Sequence, residues 1–275
     1  MPEGRGGLKP PRLKTNHPVR LAPATPPQRG IKTERNYTQM KILFDTHTHT
    51  NVSDHAYSTL AENVAIAKQK GMDGFAMTNH GPSLGDAPHV WHFYCMRNNP
   101  KVIDGVRVLY GVEANVLDEA GNLDMSEFDL SCCEVVIASI HTPCYVAGRV
   151  EKHTNTWLNV IKNPQVDIIG HSGEECFRYD YERVIAAAKA AGKCIEINSH
   201  SFKARAGTSV NCRTIAEICK KLSAPIVVAS DAHICYNIGK FDNALEMLAE
   251  IDFPEELIMN TTAEKFIEYI EGRRV

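Results

Sequence analysis

The feature of this sequence that most constrains its fold is a short apolar run that ends in a histidine or an acidic residue. The first such run, residues 42–44, leads into Asp45-Thr46-His47-Thr48-His49. If residues 41–46 form a β-strand, His47 and His49 point the same way, because strand side chains repeat with a period of two. One His-x-His pair is weak evidence for a metal site, so the argument depends on how often the pattern recurs.

Five further apolar runs end in the same way, at His80, at Glu113, at His141, at His171 and at the pair Asp231 and His233. Stretches with helical spacing separate these runs, and one of them opens with a Thr-x-x-Glu capping box at residues 59–62. Alternating strands and helices predict parallel βαβ units, and about seven strands predict an α/β barrel of the TIM type, one unit short of eight. Because the carboxyl ends of all the strands meet at one face of such a barrel, residues far apart in sequence become neighbours there.

This face is predicted to hold a cluster of metal ligands. Three or four protein ligands hold one metal, so a larger set suits two or three divalent ions, especially if a carboxylate bridges. Nitrogen and oxygen donors without thiolate suit zinc, manganese or iron, and of these metals we expect zinc first. Asp45 and Asp54 are candidate acceptors for imidazole N–H groups. The candidate ligands are His47, His49, His55, His80, Glu113, His141, His171, Asp231 and His233.

The first 36 residues differ in composition from the rest of the chain. They hold seven of the fourteen prolines and eight basic residues against two acidic ones, which leaves 22 basic and 31 acidic residues, a net charge of −9, elsewhere. We therefore expect residues 1–39 to be a disordered, Pro-rich basic extension and residues 40–275 to be the barrel. The absence of a long apolar run and of Cys-x-x-Cys among nine cysteines predicts a cytoplasmic protein with free thiols.

The same residues carry a resemblance to a known family. The motifs around His47, His80, Glu113 and Asp231 resemble those of the PHP (polymerase and histidinol phosphatase) family, from about residue 40 to the C-terminus. Residues 86–93 and 252–254 resemble its YcdX-type phosphatase branch. The resemblance implies a distorted (β/α)7 TIM-like barrel with a trinuclear centre that hydrolyses phosphomonoesters through a metal-bound water, acting as hydroxide.

The resemblance also implies how the ligands are shared and which residues are catalytic. Glu113 would bridge the first and second metals, and both Glu113 and Asp231 would act in catalysis with the metal-bound water. The three implied sets are His47, His49, Glu113 and Asp231 for the first metal, Glu113, His141 and His171 for the second, and His55, His80 and His233 for the third.

One departure and one loop bear on affinity and substrate. The family pattern usually reads Thr-Asp-His-Gly, whereas Asn79 replaces the acid here, which predicts weaker binding of the metal that His80 helps to hold. His89, Trp91 and His92 are candidates for a substrate lid, and Arg205 for a contact to a phosphate oxygen. Packing for Trp91 and a solvated loop charge for Arg205 are equally compatible with the sequence.

The favoured function is a metal-dependent phosphatase that acts on small or nucleotide-like phosphomonoesters. An amidohydrolase-type C–N hydrolase is an alternative, although that family's bridging lysine is expected where Glu113 and His141 stand. A catalytically silent metal-binding or regulatory protein of the same fold is another. The net charge of −9 offers no basic track for nucleic acid. We expect no membrane partner, and a homo-oligomer is left open.

Overall fold

The computed structural model describes residues 40–204 and 207–274, which form parallel strands surrounded by helices. The extension at residues 1–39, predicted to be disordered, lies outside the described residues. The strands are β1 (Phe44–Thr48), β2 (Gly74–Met77), β3 (Val102–Ile103), β4 (Val106–Asn115), β5 (Val135–Ser139), β6 (Ile168–Ile169), β7 (Cys194–Asn198) and β8 (Ile226–Ala229). The helices are α1 (Leu60–Gln69), α2 (Trp91–Met96), α3 (Glu127–Ser131), α4 (Val150–Ile161), α5 (Tyr181–Ala190), α6 (Ser201–Ala204), α7 (Thr208–Leu222), α8 (Asp242–Glu250) and α9 (Ala263–Arg274).

Seven of these strands are parallel neighbours in the order β1-β2-β4-β5-β6-β7-β8, while β3 forms a small antiparallel hairpin with β4. At the two ends of this order, Thr48 and Ala232 form an isolated parallel bridge, and the His49 N–H donates to the Ala232 carbonyl at 2.9 Å. The strands therefore form a nearly closed barrel, which confirms the predicted distorted (β/α)7 fold.

Two buried side chains complete the seam between β1 and β8. The Asn260 amide donates to the carbonyls of Phe44 and Val228, both at 2.7 Å, and accepts from the Val228 N–H at 3.0 Å. Asp45 accepts from the backbone N–H and the hydroxyl of Ser230 and from the Gly239 N–H. Burial raises the pKa of Asp45 to about 6, although these hydrogen bonds act in the opposite direction. Asp45 therefore joins the ends of the barrel and does not orient an imidazole as predicted.

The interior of the barrel is divided into an apolar layer and a polar layer. Phe44, Leu109 and Cys194 lie in one apolar cluster with residues of α9, and the rings of Phe44 and Phe266 stack at 5.5 Å. Side chains alternate along a strand, so Leu109 in β4 and Cys194 in β7 face the interior together with the residues two and four positions later. Those residues lie nearer the carboxyl ends of the two strands. These later residues include Glu113 and Glu196, so the apolar layer lies beneath a cluster of buried polar groups.

Two local features differ from the predicted elements. The first strand begins at Phe44, later than predicted, and its register with β2 shifts between Asp45 and Thr48, which turns both Phe44 and His47 towards the interior. The stretch 81–104, whose Pro- and Gly-rich sequence predicts a long loop, contains α2 and β3. Pro and Gly dominate its start, yet Phe93 and Met96 lie three positions apart and are buried, which fixes a short helix.

Helix α1 forms as its sequence predicts. Thr59 and Glu62 make a reciprocal capping box, and Gly71 follows the helix with φ +66°. Among the described helices, none combines the length and the apolar character that crossing a membrane requires.

Candidate metal centre

Glu113 lies at the centre of the polar layer, buried at the carboxyl-terminal part of β4. Its two carboxylate oxygens face different histidines, so the side chain lies between two groups of imidazoles. The distances from Oε2 are 3.0 Å to His80 Nδ1, 3.2 Å to His47 Nε2 and 3.6 Å to His49 Nε2, and those from Oε1 are 2.8 Å to His171 Nε2 and 3.3 Å to His141 Nε2.

A second cluster of rings lies beside this group. The ring centroids of His55, His80 and His233 are 4.5 to 5.8 Å apart. Asp231 Oδ1 is 3.4 Å from His233 Nδ1 and 3.3 Å from His49 Nε2. Asp231 has a φ of +52°, a left-handed conformation that Asp adopts more readily than most residues. All nine predicted ligands therefore lie together at the carboxyl end of the barrel.

Glu196, which the sequence analysis missed, holds two of these histidines. Its Oε1 accepts from His47 Nδ1 at 2.7 Å, and its Oε2 accepts from the His171 backbone N–H at 2.6 Å. The Asn198 amide donates to Glu196 Oε2 at 3.3 Å and to Asp231 Oδ2 at 3.2 Å. The position of Glu196 between Ile195 and Ile197 in a predicted strand was the available signal, because a buried carboxylate needs partners.

Other polar side chains orient the outer histidines. His141 Nδ1 donates to Asn115 Oδ1 at 2.7 Å, and the Asn115 amide donates to Asp124 Oδ2 at 2.5 Å. His55, about half exposed, is paired with Asp86. Asp54, predicted for such a role, is exposed. The acceptors come from distant segments because a ring that points into the barrel turns its other nitrogen away from its own strand.

Asn79 is fully buried, and its hydrogen bonds go to residues other than His80. Its Oδ1 accepts from the Thr50 N–H at 2.8 Å and from the Ser53 hydroxyl at 3.4 Å. Its Nδ2 lies 3.2 Å from His92 Nε2. The side chain therefore holds the segment between His49 and His55 against α2 and does not orient His80.

The charges of the site are strongly coupled. Burial alone would lower the pKa of His47, but the carboxylates of Glu113, Glu196 and Asp231 outweigh it and raise that pKa well above its usual value. Burial would raise the pKa of Glu113, yet His47 and its neighbours hold it well below the usual range. Burial, aided by nearby imidazoles, lowers the pKa of His49 well below its usual value. The cluster thus combines ionised carboxylates with neutral imidazole.

Several polar atoms of this cluster are buried without a hydrogen-bond partner among the described residues. Each such atom costs about 1–3 kcal/mol unless something binds it, so this many in one place indicates a ligand. They converge: ligand atoms of His47, His49 and Glu113 lie within 4.8 Å of one another, as do those of three other groups of three. Imidazole nitrogens and carboxylate oxygens fit a divalent metal. The atoms are His47 Nε2, both ring nitrogens of His49 and of His80, Glu113 Oε2 and His233 Nε2.

A cavity of about 360 Å³ opens onto this cluster. Its lining consists of His55, His80, Leu84, Glu113, His141, His171, His200, Ala204, Asp231 and His233. His200 was not predicted, because it does not directly follow an apolar run.

The predicted lid residues are absent from this lining. Trp91 is 71% exposed and its ring packs edge-on at 5.3 Å from that of His89, while His92 contacts Asn79. Arg205 lies outside the described residues. The substrate roles of His89, Trp91, His92 and Arg205 stay predictions.

Comparisons with known proteins identify relatives over most of the chain. A sequence profile of the PHP domain matches residues 45–251. A probable phosphatase of Acetivibrio thermocellus is 47% identical over 235 residues, covering 86% of this chain and 98% of the relative. A probable phosphatase of Clostridium novyi is 44% identical over 235 residues, covering 85% and 96%. These names agree with the predicted phosphatase class.

A solved structure supports the fold independently. The histidinol phosphate phosphatase of Lactococcus lactis, crystallised with zinc, L-histidinol and phosphate, superposes with a TM-score of 0.55 at 17% identity, covering 78% of this chain and 95% of that one. At this identity the similarity shows the barrel fold alone. The profile match over most of the chain, together with the identity to curated relatives over nearly their whole length, shows that this chain belongs to the PHP domain family.

Proposed function

We propose that this protein is a metal-dependent phosphatase that hydrolyses small or nucleotide-like phosphomonoesters at a trinuclear centre. The observation that carries the proposal is the buried Glu113 carboxylate among five imidazoles, several of whose nitrogens have no partner among the described residues. The names of the curated relatives support the reaction class.

The arrangement of donors supports a division into three ligand sets. Oε2 of Glu113 lies near His47 and His49, and Oε1 lies near His141 and His171. A carboxylate in this position can bridge two ions. The rings of the third proposed set, His55, His80 and His233, form the neighbouring cluster. Ligand atoms of His80 also lie within 4.8 Å of those of Glu113 and His141, so its position fits the proposed set of the second metal as well as that of the third.

The chain's own residues supply binding and orientation. Bound divalent metals would supply a hydroxide nucleophile near neutral pH and would offset the negative charge of the phosphoryl oxygens. Because Glu196 accepts from His47 Nδ1, the proton of this imidazole stays on Nδ1, and the lone pair of Nε2 is available to bind a metal. Asn115 does the same for His141. Zinc is proposed first because the donors are mainly imidazoles, with manganese or iron as alternatives.

The structure gives no support to a C–N hydrolase. Such an enzyme is expected to have a bridging lysine among its metal ligands, and the described residues that line the cavity include none. A catalytically silent metal-binding protein would keep the same cluster, so only activity separates it from the proposed phosphatase.

The test pairs metal content with phosphate release from p-nitrophenyl phosphate and a panel of small phosphomonoesters. We expect two to three metals per chain, and activity that a chelator removes and zinc or manganese restores. Glu113→Gln and His141→Ala should lower activity by at least about a hundredfold, since even outer partners of ligands cost 10–100-fold. Glu182→Gln, at an exposed residue of α5, is the matched control.

The outcomes distinguish an active phosphatase, a catalytically silent metal-binding protein and a protein without a metal centre. Full metal content without turnover on any ester would establish the silent protein and refute the phosphatase. Less than one metal per chain, with no gain on adding zinc or manganese, would refute the metal centre itself.

A further inference from the structure

Among the described residues that line the cavity, one polar side chain has no role in the proposed metal centre. Six histidines line it, and all except His200 belong to the nine candidate ligands. The two carboxylates also belong to that set, and Leu84 and Ala204 offer no polar side-chain atom. Among the described residues, the lining contains no lysine or arginine.

His200 is held at this position by its backbone. The Ser199 N–H donates to the Ala229 carbonyl at 2.8 Å, and the Ser201 N–H donates to Asn198 Oδ1 at 3.1 Å. The His200 carbonyl accepts from the first turn of the helix that follows, including the Ala204 N–H at 3.1 Å. The residue therefore lies two positions after the end of β7, at the face where the strands end.

The imidazole of His200 is exposed and is available to a ligand. It forms no hydrogen bond with any described residue, and its ring centroid lies 6.3 Å from that of His233. Either neutral tautomer of the imidazole carries one N–H group, so His200 can donate a hydrogen bond without a change in protonation. No acidic residue outside the metal cluster lines the cavity in the described part of the chain.

We propose that His200 is a substrate-binding residue that donates a hydrogen bond to a non-bridging phosphoryl oxygen of the ester. The proposal rests on the proposed phosphatase function and deepens it, because it names the group of this chain, beyond the metals, that recognises the phosphoryl end. A phosphoryl group bound at the cluster would lie near His233, and among the described residues that line the cavity His200 is the hydrogen-bond donor there that the metal centre does not use.

The test measures binding of inorganic phosphate, which has a phosphoryl group and no leaving group. The metal-loaded protein and its His200→Ala and His200→Gln variants are titrated by calorimetry. Steady-state kinetics on p-nitrophenyl phosphate, with phosphate as inhibitor, and elemental analysis accompany the titration. Lys221→Ala, an exposed residue of α7 paired with Glu182, is the control.

In His200→Ala we expect the Kd and Ki of phosphate and the KM to rise about tenfold to a hundredfold, the loss expected for one hydrogen bond to a charged group. Metal content should stay at the wild-type value, and kcat should change much less than KM. His200→Gln keeps an N–H donor and should restore phosphate binding to within about threefold of wild type.

Three results would overturn the proposal. An unchanged phosphate Kd in His200→Ala removes the contact, and a raised KM with unchanged phosphate binding assigns His200 to the leaving group instead. Loss of metal from His200→Ala would make it a metal-supporting residue. Failure of the proposed function looks different, because the wild-type protein would then release no phosphate from any ester, whatever its affinity for inorganic phosphate.

Discussion

Glu196 offers the sharpest test of how this barrel prepares its ligands. Its two carboxylate oxygens accept from two different backbone or ring donors, His47 Nδ1 at 2.7 Å and the His171 N–H at 2.6 Å. Glu196→Gln keeps the shape of the side chain but replaces one acceptor with an NH₂ donor. No orientation of the amide satisfies both neighbours while His47 keeps its proton on Nδ1.

Each orientation has a defined cost. If the NH₂ faces His171, two N–H donors oppose each other and a buried hydrogen bond is lost, which costs about 1–3 kcal/mol of folding stability. If it faces His47, the ring must accept at Nδ1 and carry its proton on Nε2, the atom that points at Glu113. Either way we expect metal affinity to fall about 10–100-fold, equivalent to about 1.4–2.7 kcal/mol.

The assay is a competition titration of the metal-free protein with zinc against a chromophoric chelator, with thermal unfolding measured in parallel. Glu182→Gln, on the exposed face of α5, should match wild type in both measurements. Zinc affinity of Glu196→Gln within about threefold of wild type, in a folded protein, would refute the role assigned to this carboxylate.

Two further predictions test the barrel seam and the unusual Asn79. Asn260→Ala should lower the free energy of unfolding by about 3–5 kcal/mol in a urea titration, because three backbone groups of Phe44 and Val228 lose their partner; a loss under 1 kcal/mol would contradict this. Asn79→Asp should leave zinc content unchanged by elemental analysis, since the side chain contacts Thr50 rather than His80; a gain in bound metal would instead support the sequence-based expectation.

The sequence was sufficient to predict that the nine candidate ligands share one face of the barrel, because the fold makes their positions regular. A parallel barrel brings the carboxyl ends of its strands to one face, so a residue directly after an apolar run is placed there whichever strand it follows. His141 and His171 illustrate this, since nothing in their local sequence distinguishes them except the run that precedes each. The capping box at Thr59 was predictable for a similar reason, because its partners lie within one turn.

The residues that hold the candidate ligands in place were not predictable in the same way. Glu196 acts on His47 across 149 positions of sequence, and Asn260 closes the seam from 216 positions beyond Phe44. Such pairings depend on which strands become neighbours. The shift within β1 is also a tertiary effect, since the sequence around Asp45 reads as a regular strand. The position of Asp45 beside the His-x-His motif suggested that its carboxylate accepts from an imidazole. In the structure this carboxylate accepts from Ser230 and Gly239 instead.

The buried charges of the site explain why a divalent cation would stabilise this barrel. Glu113, Glu196 and Asp231 are buried together, and burial of ionised carboxylates is unfavourable unless positive charge compensates them. In the described structure that compensation comes from His47, whose pKa these carboxylates raise. Protonation there occupies the Nε2 atom that should bind metal, so the proton and a divalent cation compete for one position. The barrel interior is thus arranged so that a cation relieves both problems together: it neutralises the carboxylates and binds the nitrogens that have no partner.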